Sequence, residues 1–426
     1  MKTNEYKKSF IFILLMMTVF FNWVLPKAGT KISGIPLTIG ILLFVSLTLF
    51  WIIKMINKKI YFPKVAWCVL LSQLYFVIRI IILYGSGIQF TEIVTYAIPL
   101  IVFPFIFFVI INEVDNKEKY KRIMDILVYG FFILCIYSII QSIFGIAKTD
   151  IPGLTINLTD YQTLGENWFL QKSNGITEEN AKIVATYQNG NVLGVNLLIF
   201  FPVIYEYILN KNNKFISLLS MTLFVIVELL TLSRSCWVGV AIFIFLRIVC
   251  KDNKRIKDLL YKFFILIVGI VIFLFILVKF PSITNRLLNI DIETFLQASG
   301  RTEGAIEFLN SAIQDGNILI NILIGPFGLI ENKGLAYEMT QLAIYKVGGI
   351  IGLILWCIPI LMIYKLLKSS NYIQYSYKIA ILVWFLVAII EGAYWTPPTA
   401  INLFTMLGLA LASKKISEKE DFEKWN

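Results

Sequence analysis

TLSRSCW, residues 231–237, sits inside an apolar run that extends from Phe215 to Val249. An arginine at the centre of a bilayer costs about 2.5–3.5 kcal/mol on insertion scales. The run therefore reads as two spans, near 215–232 and 236–250, joined by a tight turn that holds Arg234 at the membrane surface. Glu228 lies six residues upstream, roughly two helical turns below the arginine.

The same pattern extends outward over the whole chain of 426 residues. It is 58% hydrophobic and only 15% charged, with a mean hydropathy of +0.78. A soluble domain carries far more charge. Apolar stretches long enough to cross a membrane recur throughout. The expected fold is all-α: a polytopic integral membrane protein with about twelve transmembrane helices. The spans fall near 9–25, 35–55, 65–84, 90–111, 124–144, 190–209, 215–232, 236–250, 263–280, 340–364, 379–392 and 398–413. The first follows Lys2, Lys7 and Lys8 like a signal peptide, but it has no small-residue cleavage site and is read as a span.

Lysine and arginine set the orientation. With the N-terminus in the cytoplasm, the inner segments carry 26 of the 38 basic residues and the outer ones 11, with Arg79 inside the third span. The short inner segments are thus the basic ones, as the positive-inside rule requires. Both termini are then cytoplasmic. Anionic lipid on that face accounts for the net charge of +11 without any nucleic acid. The chain divides into N-terminal membrane helices (1–144), a first long outer loop (145–189), central helices with the Arg234 turn (190–280), a second long outer loop (281–339), and C-terminal helices with a cytoplasmic tail (340–426).

The residue inventory excludes much. Histidine is absent, which removes His-based zinc sites, Ser-His-Asp triads and imidazole bases. Cys68, Cys135, Cys236, Cys250 and Cys357 are scattered through apolar segments and form no C-x-x-C pair. There is no P-loop. One acidic pair in an outer loop, Asp291 and Glu293, reads as solvated loop rather than a metal site. No metal and no cofactor is expected. Acid–base chemistry must rest on carboxylates, lysine or tyrosine.

The second long loop contains SGRTEGAIEFLNSAIQDGN, residues 299–317. Ala305, Ile306, Phe308, Leu309, Ala312 and Ile313 repeat with helical spacing, so an amphipathic helix on the outer surface is expected. Ser299 suits its N-cap. Arg301 then falls in the first turn, where a cation is unfavourable unless an anion binds there too. YEMTQLAIYKVGGIIG, residues 337–352, follows. Glu338 opens the tenth span on the outer side, where the helix dipole stabilises a carboxylate. Gly348 and Gly352 form a small-x-x-x-small pair that predicts close packing on a neighbouring helix. In the first loop Tyr161, Trp168 and Phe169 suit either glycan contact or packing.

These segments resemble the O-antigen ligase and polysaccharide polymerase superfamily of membrane proteins. TYQNGNVLG (186–194), with Asn191, is similar to its N-P-N segment, with Gly190 where proline is usual. LTLSRSCWVG (230–239) is similar to its T-x-S-R turn. SGRTEGAIEFL (299–309) with IGPFG (324–328) is similar to its G-R helix and G-x-G turn. EMTQLAIYKVGGIIG (338–352) is similar to its closing segment. The resemblance implies transfer of a glycan from a polyprenyl-diphosphate carrier to an acceptor hydroxyl at the outer face of the plasma membrane. It implies Arg234 and Arg301 as diphosphate ligands and Glu338 as general base. Ligases carry histidine at that last position, so a glutamate there favours the polymerase branch, which joins lipid-linked repeat units. A flippase and a chain-length regulator are then expected partners.

The chemistry agrees. A diphosphate leaves readily if its growing charge is met by fixed guanidinium forks. The attacking hydroxyl needs a base on the opposite face, and a carboxylate serves. Two alternatives stand beside the polymerase. One is a ligase that transfers finished glycan to a lipid or cell-wall acceptor. The other is a polysaccharide exporter, which should show inverted repeats and midplane charges; neither is seen.

Arg79, Glu228, Asn191, Glu391 and Trp395 are candidates for supporting roles. Glu228 is placed to pair with Arg234 or to orient it. Arg79, in FVIRIIILYG, is either a site residue or a cation reaching the outer headgroups. Glu391 with Tyr394 and Trp395, in EGAYWTPP, is either a sugar contact or part of the aromatic belt. Arg247 is expected to extend toward the inner headgroups.

Overall fold

The computed structural model describes residues 10–32, 35–56, 60–165, 182–211, 213–249, 318–325 and 339–423. About 80% of them are helical. The N-terminal part comprises α1 (Phe10–Val24), a hairpin of β1 (Gly29–Ile32) and β2 (Ile35–Thr38), α2 (Ile39–Met55) and α3 (Lys64–Gly85). It continues with α4 (Phe90–Ala97), a π-turn (Ile98–Val102), α5 (Phe105–Glu113), α6 (Lys117–Phe144) and the short α7 (Ile146–Thr149) and α8 (Leu158–Leu164). The central part comprises α9 (Gly190–Asn210), α10 (Lys214–Leu230), α11 (Arg234–Val249) and α12 (Ile318–Ile324). The C-terminal part comprises α13 (Thr340–Leu366), α14 (Tyr372–Val387), a 3-10 turn (Ala393–Trp395) and α15 (Pro397–Glu423).

Among the described residues five helical stretches are long and apolar enough to cross a membrane: α3, Ile93–Glu113, α6, α9 and α13. The molecule is an all-α, membrane-embedded protein. Helices α1, α2 and α14 are apolar but have 17 residues or fewer. The expected ninth span (263–280), the surface helix of the second loop, Asp291, Glu293, Trp168, Phe169 and Cys250 lie outside the described residues.

Asparagine starts many of these helices. Asn116, Asn189, Asn213 and Asn371 each accept a hydrogen bond from a backbone N–H in the following turn. Thr38 does the same for α2. Each cap contributes about 0.5–2 kcal/mol and fixes where a helix begins.

Helices α6 and α9 each run from one cluster of polar contacts to another, and these clusters mark two ends of the molecule. At one end, Tyr187 Oη donates to the carbonyl of Trp23 (2.6 Å) and Thr186 to that of Val24 (2.6 Å). The β-hairpin lies there too: Lys31 pairs with Asp160 at 2.7 Å, and Thr159 packs its hydroxyl on Thr30. Tyr161 covers a small cluster of Ile146, Ile156 and Val184. At the opposite end Asp125 holds Tyr207 and Lys211, Lys54 pairs with Glu113, and Lys415 donates to the Ile111 carbonyl.

Between the two ends the packing is tight. A Cβ on Gly348 would sit 2.8 Å from the Phe76 ring, and one on Gly352 3.0 Å from Tyr75. The small-residue pair thus seats α13 against α3, as the sequence predicts. A buried polar chain crosses the core: Asn402 donates to Asn196 (2.8 Å) and to the Asn22 carbonyl, and Asn196 donates to Thr399. Such bonds between membrane helices average only about 0.6 kcal/mol, so they specify register more than they stabilise.

Several expectations are corrected. Residues 29–38 form a hairpin, not the start of the second span. The fourth span is present as Ile93–Glu113 but is not a regular α-helix: a π-turn at Ile98–Val102 contains Pro99 and is followed by Pro104. Helix α13 is interrupted at Gly349, whose φ is +62°. Arg247 does not extend to headgroups; it pairs with the buried Glu206 on α9. Tyr394 and Trp395 are buried and belong to neither an aromatic belt nor an open sugar platform. Tyr394 donates to the Pro99 carbonyl at 2.9 Å, and the Trp395 ring meets Tyr96 edge-on.

Candidate functional site

The Arg234 turn is built from alternating hydroxyls. Thr231 Oγ1 donates to the Glu228 carbonyl (2.6 Å), which ends α10. Leu232 then takes a left-handed conformation, φ +52°, a position where a side chain of this kind is rare. The Ser233 amide donates back to Thr231 Oγ1 (3.3 Å), and Trp237 Nε1 donates to the Glu228 carbonyl (2.8 Å). Arg234 is the first residue of α11. Its neighbours Ser233 and Ser235 turn inward and share a hydrogen bond of 3.0 Å.

Three other segments gather at this turn, two directly and one, the start of α13, through the turn after α14. The first is Lys182–Asn191. The Ile183 amide donates to the Leu230 carbonyl (3.2 Å), and Lys182 Nζ donates to Asn191 Oδ1 (2.8 Å). Gly190 lies so close that a Cβ there would stand 2.5 Å from the Thr231 carbonyl oxygen. One turn on, a Cβ at Gly194 would stand 2.6 Å from the Cys236 thiol and 2.7 Å from the Glu228 carboxylate. The second is the start of α13, where the Thr340 amide donates to the Ala388 carbonyl (3.1 Å). The third is the turn after α14. Glu391 accepts a hydrogen bond from Ser235 Oγ (3.0 Å), and its own carbonyl accepts from Thr340 Oγ1 (2.8 Å).

Two of the four segments singled out in the sequence, 186–194 and 230–239, are therefore in direct contact, and the beginning of 338–352 is linked to them through Glu391. The fourth, 299–309, lies outside the described residues, and so do Arg301 and Glu338 themselves. Asn191 and Glu391 join the Arg234 turn. Trp395 does not line it; it is packed into the core. Glu228 lies beneath the turn, only 1% exposed. It forms no ion pair with Arg234, and neither carboxylate oxygen receives a hydrogen bond among the described residues. Burying an ionised carboxylate without donors is costly, which sets Glu228 apart from the paired Glu113 and Glu206.

Arg79 has a different use. It is 1% exposed, donates through Nε to the Val347 carbonyl (3.0 Å) and through Nη2 to that of Gly325 (3.3 Å). Tyr75 Oη donates to the Gly348 carbonyl and Gln73 Nε2 to the Ile101 carbonyl, both at 2.6 Å. Three side chains of α3 thus satisfy backbone carbonyls at the breaks in α13 and in the α4–α5 stretch. A broken helix in a membrane survives only with such partners. Arg79 thus lies inside the fold against backbone carbonyls, not at the headgroups.

Sequence reasoning missed Ser233, Ser235, Lys182 and Thr340. The signal for the serines was present: hydroxyls at 231, 233 and 235 alternate around the arginine. Burial holds the Tyr187 phenol well above its ordinary range, so it remains a donor to Trp23 at any physiological pH. Searches against protein-family models, the curated proteins and the solved structures return no match for the chain.

Proposed function

We propose that the chain is a membrane glycosyltransferase that polymerises polyprenyl-diphosphate-linked oligosaccharide repeat units at the outer face of the plasma membrane. The observation that carries this reading is the convergence of segments far apart in sequence, Lys182–Asn191, Thr231–Ser235, Thr340 and Glu391, around the turn that starts α11 with Arg234. Each of these segments except the Glu391 turn was picked out by resemblance to the polymerase and ligase superfamily, and resemblance alone did not require them to meet.

In this reading Arg234 and Arg301 bind the donor diphosphate. The Glu338 carboxylate takes the proton of the acceptor hydroxyl as its oxygen bonds to the anomeric carbon. The bond from that carbon to the diphosphate oxygen breaks, and the diphosphate departs against the guanidinium forks. Inversion at the anomeric carbon follows from a single displacement. No metal is required.

The twelve-span topology with both termini cytoplasmic belongs to the same proposal. The gathering of basic side chains supports it. Lys54, Lys211 and Lys415 lie at the end of the molecule opposite the Arg234 turn. That end then faces the cytoplasm, in line with the positive-inside rule.

The test is the surface polysaccharide of a deletion strain complemented with wild type, Glu338→Gln or Arg234→Ala, at matched protein levels. A polymerase predicts loss of long chains while single repeat units still reach the surface. Long chains stranded on the carrier lipid would instead make it a ligase. Full complementation by both variants would remove the proposed site.

A further inference from the structure

We propose that Glu391 is a positioning residue for the transfer reaction, holding the Arg234 turn in place through Ser235 and Ser233. The inference rests on the glycosyltransferase reading above and adds to it a residue that the resemblance does not supply.

The geometry is specific. The two residues that flank Arg234 in sequence both direct their hydroxyls inward, and those hydroxyls are 3.0 Å apart. Ser235 Oγ then donates to Glu391 Oε2 at 3.0 Å. Both serines and Glu391 are buried, at 2%, 7% and 7% exposure. Thr231 and Trp237 place their side-chain hydrogen bonds within residues 228–237, and the Cys236 thiol reaches out to the Asn191 carbonyl at 3.8 Å. Glu391 provides a carboxylate anchor from outside the turn. It is itself anchored, since its carbonyl accepts from Thr340 Oγ1 at 2.8 Å, and Thr340 also donates its amide to Ala388. Thr340 follows Glu338 by two residues. One residue thus ties the segment of the proposed diphosphate ligand, through its carboxylate, to the segment of the proposed base, through its backbone carbonyl.

The turn needs such an anchor. Leu232 sits in the left-handed region, a conformation that persists only when its surroundings enforce it. A guanidinium that must meet a diphosphate bidentately tolerates little displacement, because small misplacements cost large factors in rate. A hydrogen bond to an ionised carboxylate is about twice as strong as a neutral one. The role requires acceptance of a hydrogen bond, not transfer of a proton, so an amide oxygen at 391 should restore most of it.

The experiment uses the purified full chain in proteoliposomes with a lipid-linked repeat unit as donor. Donor KM and kcat are measured for Glu391→Ala, Ser235→Ala, the double variant and Glu391→Gln. In parallel, alkylation of Cys236 by a maleimide is followed by peptide mass spectrometry. Cys236 is fully buried beside Ser235, so its protection reports the turn independently of any activity. The expected result is a donor KM raised about tenfold in each alanine variant, with Cys236 becoming reactive. The double variant should be no worse than either single one, as expected for two partners in one bond. Glu391→Gln should bring KM back to within about threefold and restore Cys236 protection. Glu391→Gln as impaired as Glu391→Ala, additive single effects, or Cys236 still protected in Glu391→Ala would each overturn the proposal. Wild-type protein without transfer activity, but with the expected Cys236 pattern, would overturn the glycosyltransferase reading and leave the coupling of Glu391 to the turn standing.

Discussion

Gly190 offers the sharpest single-atom test of the site. It is the first residue of α9, with Asn189 as N-cap, and the first helical position is where proline is normally welcome. The superfamily that the chain resembles carries proline there. In this fold a Cβ at 190 would stand 2.5 Å from the Thr231 carbonyl, 3.0 Å from that of Ile183 and 3.1 Å from the Lys182 side chain. An ordinary contact lies near 3.5 Å, so α9 or the Arg234 turn must give way by roughly 1 Å. Overpacking of this kind costs about 1–3 kcal/mol. A displacement near 1 Å at a reacting site costs up to about 100-fold in rate. Gly190→Ala should therefore lower stability moderately and lower polymer formation by about 10- to 100-fold, and Gly190→Pro should do no better. Gly85→Ala is the control, because a Cβ there meets nothing within 4 Å. The assays are thermal unfolding in detergent by size-exclusion fluorescence and polysaccharide chain length in the complemented strain. If Gly190→Ala matched Gly85→Ala in both, the close approach of α9 to the turn, and the site built on it, would be refuted.

Other predictions follow from the same contacts. Arg234→Lys should impair polymer formation nearly as much as Arg234→Ala, since a point charge cannot replace a planar fork; near-normal chains from the lysine variant would count against diphosphate binding. Glu206→Ala leaves Arg247 buried without its carboxylate and should destabilise by about 3–5 kcal/mol, whereas Lys211→Ala, from an exposed pair with Asp125, should cost less than about 1 kcal/mol; thermal unfolding separates the two. Gly349→Ala forces a Cβ to within 2.4 Å of the Gly325 amide and the Leu323 carbonyl at a φ of +62°, so strain of about 1–2 kcal/mol adds to the overlap. It should unfold earlier than Gly348→Ala, whose neighbour is a ring edge able to shift.

Hydropathy placed most helices within a few residues because bilayer thickness fixes how long an apolar run must be. It did less well where helix and membrane do not coincide. α6 begins at Lys117, well before the expected span, because KEKYKR is helical though charged. Asn116 caps it, and Glu118 pairs with Arg122 one turn on. α15 likewise runs to Glu423, past the end of its apolar stretch. The hairpin at 29–38 was hidden for the opposite reason. Its second strand, IPLT, is as apolar as the helix that follows, and its partner is recognised only once Ala28 accepts a hydrogen bond from the Ile39 amide.

Charge within apolar sequence was the other legible signal; it drew attention to Arg79, Glu228, Arg247 and Glu391, but not to Glu206, and did not say what each does. Arg79, Glu206, Glu228, Arg247 and Glu391 all interrupt apolar sequence and all are drawn inside the fold. What divides them is the supply of partners. Arg79 faces carbonyls at the breaks near Gly325 and Gly349, and Arg247 faces Glu206. The breaks themselves were readable as Pro99, Pro104 and the Gly348–Gly349 pair, but their pairing with α3 depends on helix packing that no local pattern encodes. Glu391 and Glu228 lie on either side of the serines around Arg234, one bonded into the turn and one with neither oxygen accepting a hydrogen bond among the described residues. The chemistry is proposed to lie at the Arg234 turn on this ground: buried hydroxyls and a carboxylate from a distant segment are gathered there, whereas Arg79 donates to backbone carbonyls.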